Sequence, residues 1–180
     1  MNTMEYFKKM QGGGASPPRV GLEEVFWSWL GAFLGIAAVA LLHCRIVSGS
    51  GLVMLIGSFG ASAVLIYGAV ASPLAQPRNL LGGHLISGLI GVASYQLIPD
   101  LWLASAVAVA TAIAAMHLSK TLHPPGGATA LIAVIGGADI HNLGYLYALV
   151  PAASGALLML FIALLVNNIP KSRKYPAFWW

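Results

Sequence analysis

Groups able to do chemistry are few in this chain, and they gather at two proline-marked places. One is His123-Pro124-Pro125-Gly126-Gly127-Ala128-Thr129, where an imidazole, two glycines and a hydroxyl surround a proline pair. The other is Ser72-Pro73-Leu74-Ala75-Gln76-Pro77-Arg78-Asn79, where a guanidinium follows two more prolines. Proline has no N–H to donate, and it pushes the preceding residue into extended geometry, so each run breaks a helix. A helix restarting at Pro124 presents N–H groups with no partner and about half a positive charge, which suits an anion. Gly126 and Gly127 let a ligand approach the backbone, and Thr129 adds a hydroxyl one turn on. His123 has two readings: it carries a proton beside the anion, or it caps nearby carbonyls and locks the break. Arg78 has two as well: it grips a planar oxyanion with two N–H groups, or it anchors a helix end at the interface. His84, six residues further on, and Asn79 are candidates for the same vestibule.

The elements that must hold these groups are apolar. Of 180 residues, 58% are hydrophobic and 8% charged, against roughly a quarter charged in soluble domains. At ~20 residues per crossing there is room for about six spans and no separate catalytic domain. Six apolar segments are expected: 24–47, 51–71, 80–98, 101–119, 124–137 and 146–169. The fifth is shorter than the ~17–25 residues of a full crossing, so it starts inside the membrane, is re-entrant, or is extended by residues 120–123. Residues 1–21 form a tail or a short interfacial helix, 22–170 the membrane region, and 171–180 a basic, aromatic tail. No leader with a cleavage site is expected at the start, because the first apolar segment can serve as its own insertion signal.

If the N-terminus is cytoplasmic, eight of the nine Lys and Arg residues fall on the inner side and only Arg45 on the outer. That favours six crossings with both termini cytoplasmic; the membrane expected is a bacterial inner one. A four-crossing arrangement, with the second and fifth segments re-entrant, also keeps the termini together. Basic charge placed this way reads as topology, not as nucleic-acid binding.

The chain also echoes itself. Gly60-Ala61-Ser62-Ala63 returns as Gly127-Ala128-Thr129-Ala130, Ser87-Gly88 as Ser154-Gly155, and Leu34 and Ala37 as Leu101 and Ala104, always 67 positions on. Chance matches in an Ala- and Gly-rich chain are the alternative. A true repeat puts three segments in each half, 24–98 and 101–169, and an odd number inverts one half relative to the other. Such architecture places binding sites at short, Gly- or Pro-broken segments in matching positions. Ser58, Gly60 and Ser62 then face Gly126, Gly127 and Thr129.

Several classes of function lack equipment here. Cys44 is the only cysteine, so no intrachain disulfide forms, and the five histidines show neither close pairing nor a carboxylate cluster to hold a metal. Glu5, Glu23, Glu24, Asp100 and Asp139 all fall at interfaces, which leaves no acid–base pair for hydrolysis and points away from an enzyme. No phosphate loop and no cofactor motif is present. Gly31-x-x-x-Gly35 and the Gly83, Ser87, Gly91 series read as seams for close helix packing, within the chain or between subunits of a homo-oligomer.

The two proline runs together closely resemble the HPP family of small integral membrane proteins, over about residues 22–168. The resemblance carries His123, Pro124, Pro125, Gly126 and Gly127, with Pro73, Gln76, Pro77, Arg78 and Asn79, onto the family's markers. It implies transport, since some members in photosynthetic organisms are associated with nitrite transport. The family is often described as having four spans, and the six crossings expected here depart from that. The expectation is therefore an all-α polytopic membrane protein of two inverted three-helix halves. It would move a small inorganic anion, nitrite or similar, through the bilayer as a channel or with a coupled proton. Nitrate, formate or bicarbonate would suit a positive site equally well. A membrane sensor or anchor binding a small ligand is the alternative, and an intramembrane enzyme acting on lipid a more distant one.

Overall fold

The computed structural model describes residues 2–180, and among them every regular element is helical. Helix α1 (Thr3–Lys8) is short and exposed; Asn2 caps the Met4 N–H while Glu5 reaches back to the Asn2 N–H. The N-terminal tail thus carries a helix of six residues, started by this reciprocal cap. Helix α2 (Leu22–Leu42) runs on through a wider π-type turn, His43–Val47. Then come α3 (Ser58–Gly68), a 3₁₀ turn (Pro73–Ala75), α4 (Pro77–Leu97), α5 (Leu101–Leu118), α6 (Pro124–Ile135), the small α7 (Ala138–His141), a second π-type turn (Ala148–Ala153) and α8 (Ser154–Val166).

Among the described residues, four stretches are long and apolar enough to cross a membrane: Leu22–Val47, Pro77–Leu97, Leu101–Leu118 and Ala148–Val166. The shorter α3 and α6 answer to the expected broken segments. The second segment is helical over only its latter part, because residues 52–57 adopt no regular structure. Proline at the first position starts both α4 and α6, where a missing N–H costs nothing.

Small residues decide how the helices meet. Helix α4 is central and packs on α5, α6 and the second π-type turn, whereas α2 packs on α3 and α8. A methyl group added at Gly83 would sit 2.5 Å from the His123 Cβ, and one at Gly91 2.5 Å from the Ala130 carbonyl. The Gly83, Ser87, Gly91 stripe is therefore the seam along which α6 lies on α4, at backbone distance. Gly31 and Gly35 form a second seam beneath the Tyr67 ring, and Gly155 a third beneath Phe59. On α5, Ala104, Ala108, Ala112 and Met116 are buried at intervals of one turn, and the outward faces are apolar apart from Ser105, Thr111 and His117. A helix that is apolar all round but buried on one narrow stripe is suited to lipid.

The two ends of the bundle are marked by hydrogen bonds. At one end Arg173 reaches Glu24, Gln76 reaches Val70 and Ala177, and Asn79 reaches Leu122. At the other, the Met54 N–H donates to His43 and the Tyr95 ring stacks on His141 at 3.7 Å.

Candidate functional site

The His-Pro-Pro break is built from both sides. Helix α5 closes with Lys120 in the left-handed region (φ 57), with the Lys120 N–H on the His117 carbonyl and the Thr121 N–H on the Met116 carbonyl. This is the Schellman arrangement, formed here without the usual glycine. Residues 121–123 then lie on α4, where added methyl groups at Gly82 and Gly83 would strike Thr121 and His123. Asn79 holds the Leu122 carbonyl at 2.8 Å, and His123 takes the extended geometry that Pro124 imposes (φ −139, ψ 106).

His123 points inward into a chain of hydrogen bonds. Its Nδ1 donates to the Leu74 carbonyl at 2.8 Å, and its Nε2 lies 3.0 Å from the Ser62 hydroxyl. Ser62 also lies 2.8 Å from His84 Nε2, and His84 Nδ1 lies 2.7 Å from the Thr129 hydroxyl. Thr129 donates to Ser58 at 2.9 Å, with a longer contact of 3.3 Å to the Pro125 carbonyl. Ser58, Ser62, His84, His123 and Thr129 are all completely buried. The two imidazole centroids are 5.2 Å apart, the Phe59 and His84 rings meet in a T-shaped pair, and Tyr147 donates to the Thr129 carbonyl at 2.9 Å. Among the described residues no Asp, Glu, Lys or Arg side chain bonds to this chain.

Five of the sequence candidates thus converge, and the rest are placed differently. Gly126 is a packing residue, pressed on Ser87, Met116 and the Gly83 carbonyl. Its N–H bonds the His123 carbonyl at 2.8 Å, while the Phe59 and Gly60 N–H groups bond the Ile56 and Gly57 carbonyls. The expected free N–H clusters are therefore partly spent in tightened first turns. Gly127 is half-buried with Val109 as its nearest neighbour, and Gly60 is exposed with open space around it.

Arg78 lies away from the cluster, with its guanidinium 5.4 Å from the Phe178 ring centre and its Nε buried without a partner. It borders a cavity of about 420 Å³ with Leu81, Leu85, Thr121 and Trp180. Gln76 is buried and tied off: its amide donates to the Val70 and Ser72 carbonyls and accepts the Ala177 N–H. Pro73 and Pro77 begin the 3₁₀ turn and α4. Sequence reasoning did not find the Leu74 carbonyl, Tyr147 or Gly82. Only Gly82 left a signal, as the partner of Gly83 in a double glycine inside a span.

A helical membrane protein with a buried imidazole–hydroxyl chain at its centre, bonded to no carboxylate, ammonium or guanidinium among the described residues, is the class this geometry defines. The chain belongs to the HPP family, matching the HPP transmembrane region over residues 17–176. It is similar to two proteins of Dictyostelium discoideum named only as transmembrane proteins. One is 52% identical over 181 residues, covering 98% of this chain and 58% of the relative. The other is 46% identical over 186 residues, covering all of this chain and 65% of the relative. The chain therefore spans less than two thirds of the length of these curated relatives, and their source lends no support to a bacterial membrane. No solved structure matches it.

Proposed function

We infer that the protein is a transporter or channel for a small inorganic anion, nitrite or similar, with its site where α3 and α6 meet. The observation that carries this reading is the cluster itself. Intramembrane polar groups are costly and mark pathways, and here five of them meet where two short helices begin. Ser58 of α3 faces Thr129 of α6, and Ser62 faces His123, so the first turns overlap in opposite directions. Two helix starts at that level add positive dipole ends on either side. The reading assigns the protein no catalytic chemistry.

An inverted repeat and six crossings belong to the same proposal. Moving α3 by 67 positions lays it on α6, and α2 packs on α3 and α8 as α5 packs on α6 and α4. Residues 52–57 reach up to about 20 Å and the eleven residues of α3 add about 16 Å, enough for a ~30 Å hydrocarbon core. Both termini lie on the cytoplasmic side in this arrangement, beside Arg78, Lys120, Arg173 and Lys174. A homo-oligomer would cover Gly60, Ala61 and Val64, which α3 leaves exposed.

A membrane sensor is the second reading, favoured by the complete enclosure of the cluster. Uptake of nitrite, nitrate and formate into proteoliposomes decides between them. Saturable uptake lost in His84→Ala supports transport; no uptake of any of these anions supports the sensor.

A further inference from the structure

The buried chain can be read by counting protons. Four contacts run from the Leu74 carbonyl through His123, Ser62 and His84 to Thr129, at 2.8, 3.0, 2.8 and 2.7 Å. Each needs one proton between its two heavy atoms, because two lone pairs at that distance repel. With both imidazoles neutral, His123, Ser62 and His84 supply three. Thr129 has a fourth, but in this geometry it is directed at Ser58. While Thr129 donates to Ser58, the neutral groups leave one contact without a proton, and an excess proton completes the chain.

We propose that the Ser58–Thr129–His84–Ser62–His123 chain is a store for one exchangeable proton, and that this proton is the ion coupled to transport. The inference rests on the transport reading and names its partner ion. Two arrangements hold the extra proton. In one, His123 carries both protons and donates through Nε2 to Ser62, whose hydroxyl donates to His84. In the other, His123 Nε2 has passed its proton to Ser62 Oγ while Ser62 has passed its own to His84 Nε2. His84 is then the imidazolium, no bond to carbon changes, and charge is conserved. Release reverses the Thr129 hydroxyl: Ser58 donates to Thr129, Thr129 to His84 Nδ1, His84 Nε2 to Ser62 and Ser62 to His123 Nε2. The neutral chain therefore fixes two different tautomers, Nδ1–H on His123 and Nε2–H on His84.

Nothing else nearby competes for the role. Helix α3 brings Ser58, Ser62 and Phe59; α4 brings His84 and Ser87, whose hydroxyl faces the Met116 sulfur of α5; α6 brings Thr129. Among the described residues, the one further titratable side chain bonded to Ser58, Ser62, His84, His123 or Thr129 is Tyr147, which is spent on the Thr129 carbonyl. With no fixed countercharge, a stored proton leaves the cluster cationic, and an anion entering the same membrane region balances it.

The test joins a spectroscopic readout to a flux. Imidazole ¹⁵N NMR of the full chain in lipid should show two neutral rings of opposite tautomer at high pH. On acidification, one ring equivalent should become doubly protonated. In proteoliposomes, nitrite uptake driven by an acid-outside gradient should move one proton per anion. Ser62→Ala should abolish the shared protonation and cut gradient-driven uptake at least ten-fold, Thr129→Val should do likewise, and Thr129→Ser should restore both. Identical tautomers in the two rings, or gradient-driven uptake unchanged in Ser62→Ala, would overturn the proton store. Should no anion move while acidification still loads one proton that Ser62→Ala removes, the transport reading falls and the store stands. Should anions move with no change at either ring, the store falls and transport stands.

Discussion

The Arg173 cluster at one end of this bundle and the imidazole–hydroxyl chain at its centre are built on opposite principles. At the end where α2 begins, Arg173 donates to Glu24 through two nitrogens at 2.9 and 2.6 Å, to Ser28 at 2.8 Å and to Asn167 at 3.1 Å. Asn167 passes the connection on to the Ile66 carbonyl at 2.9 Å. The Arg173 and Glu24 charges there are paired and the guanidinium is held by Glu24, Ser28 and Asn167, which fixes its position and ties α2, α3, α8 and the tail together. The imidazole–hydroxyl chain at the centre holds no fixed charge, and each hydroxyl can either give or accept. Fixed charge preserves a shape; a chain of reversible donors preserves a choice between states at the same atomic positions.

Substitutions that separate shape from state sharpen the contrast. The largest effect should come from Arg173→Met, which leaves Glu24 and Asn167 without their partner. Thermal unfolding in detergent should show a loss of about 3 kcal/mol, partly recovered by adding Glu24→Gln. The Arg173→Met protein that remains folded should still load its proton. Next is Gly83→Ala, whose methyl group would displace His123. It should cost about 1–3 kcal/mol by the same assay and reduce anion uptake out of proportion to that. Thr129→Val should lower stability by only about 1 kcal/mol while uptake falls at least ten-fold, the reverse of Arg173→Met. A Thr129→Val protein with normal uptake would erase the distinction between the clusters. Smallest is Lys120→Gly, which relieves a side chain in the left-handed region and should raise stability by up to about 1 kcal/mol without touching uptake.

Much of the frame was legible from local pattern. Prolines mark the starts of α4 and α6, and the Gly31, Gly35 and Gly83, Ser87, Gly91 spacings mark real seams. Segment ends fell within a few residues of the helices, except that the apolar run 51–71 hid the irregular residues 52–57, since hydropathy carries no backbone information. The meeting of Ser58 and Ser62 with His123 and Thr129 was foreshadowed by the 67-residue echo, whereas His84 lies outside that echo. The placement of Arg78 was not. Six residues separate it from His84, about 240° around a helix, so the two side chains leave α4 on different faces. The Arg173–Glu24 pair joins positions 149 apart and has no local signature at all.

The way α3 is held has a consequence for how the protein is made. Its Tyr67 hydroxyl donates to the Met159 carbonyl 92 positions on, Ile66 awaits Asn167 at 101, and Phe59 lies beneath Gly155. At synthesis rates of about 5–20 residues per second, α3 leaves the ribosome on the order of 5–20 s before these partners exist. For that interval a short helix with an irregular leader must wait at the membrane without the surface that will enclose it, shielded by the translocation machinery or held in the headgroup layer. The final fold is thus closed from its last span backwards, and truncation within α8 should strand the first half at that earlier stage.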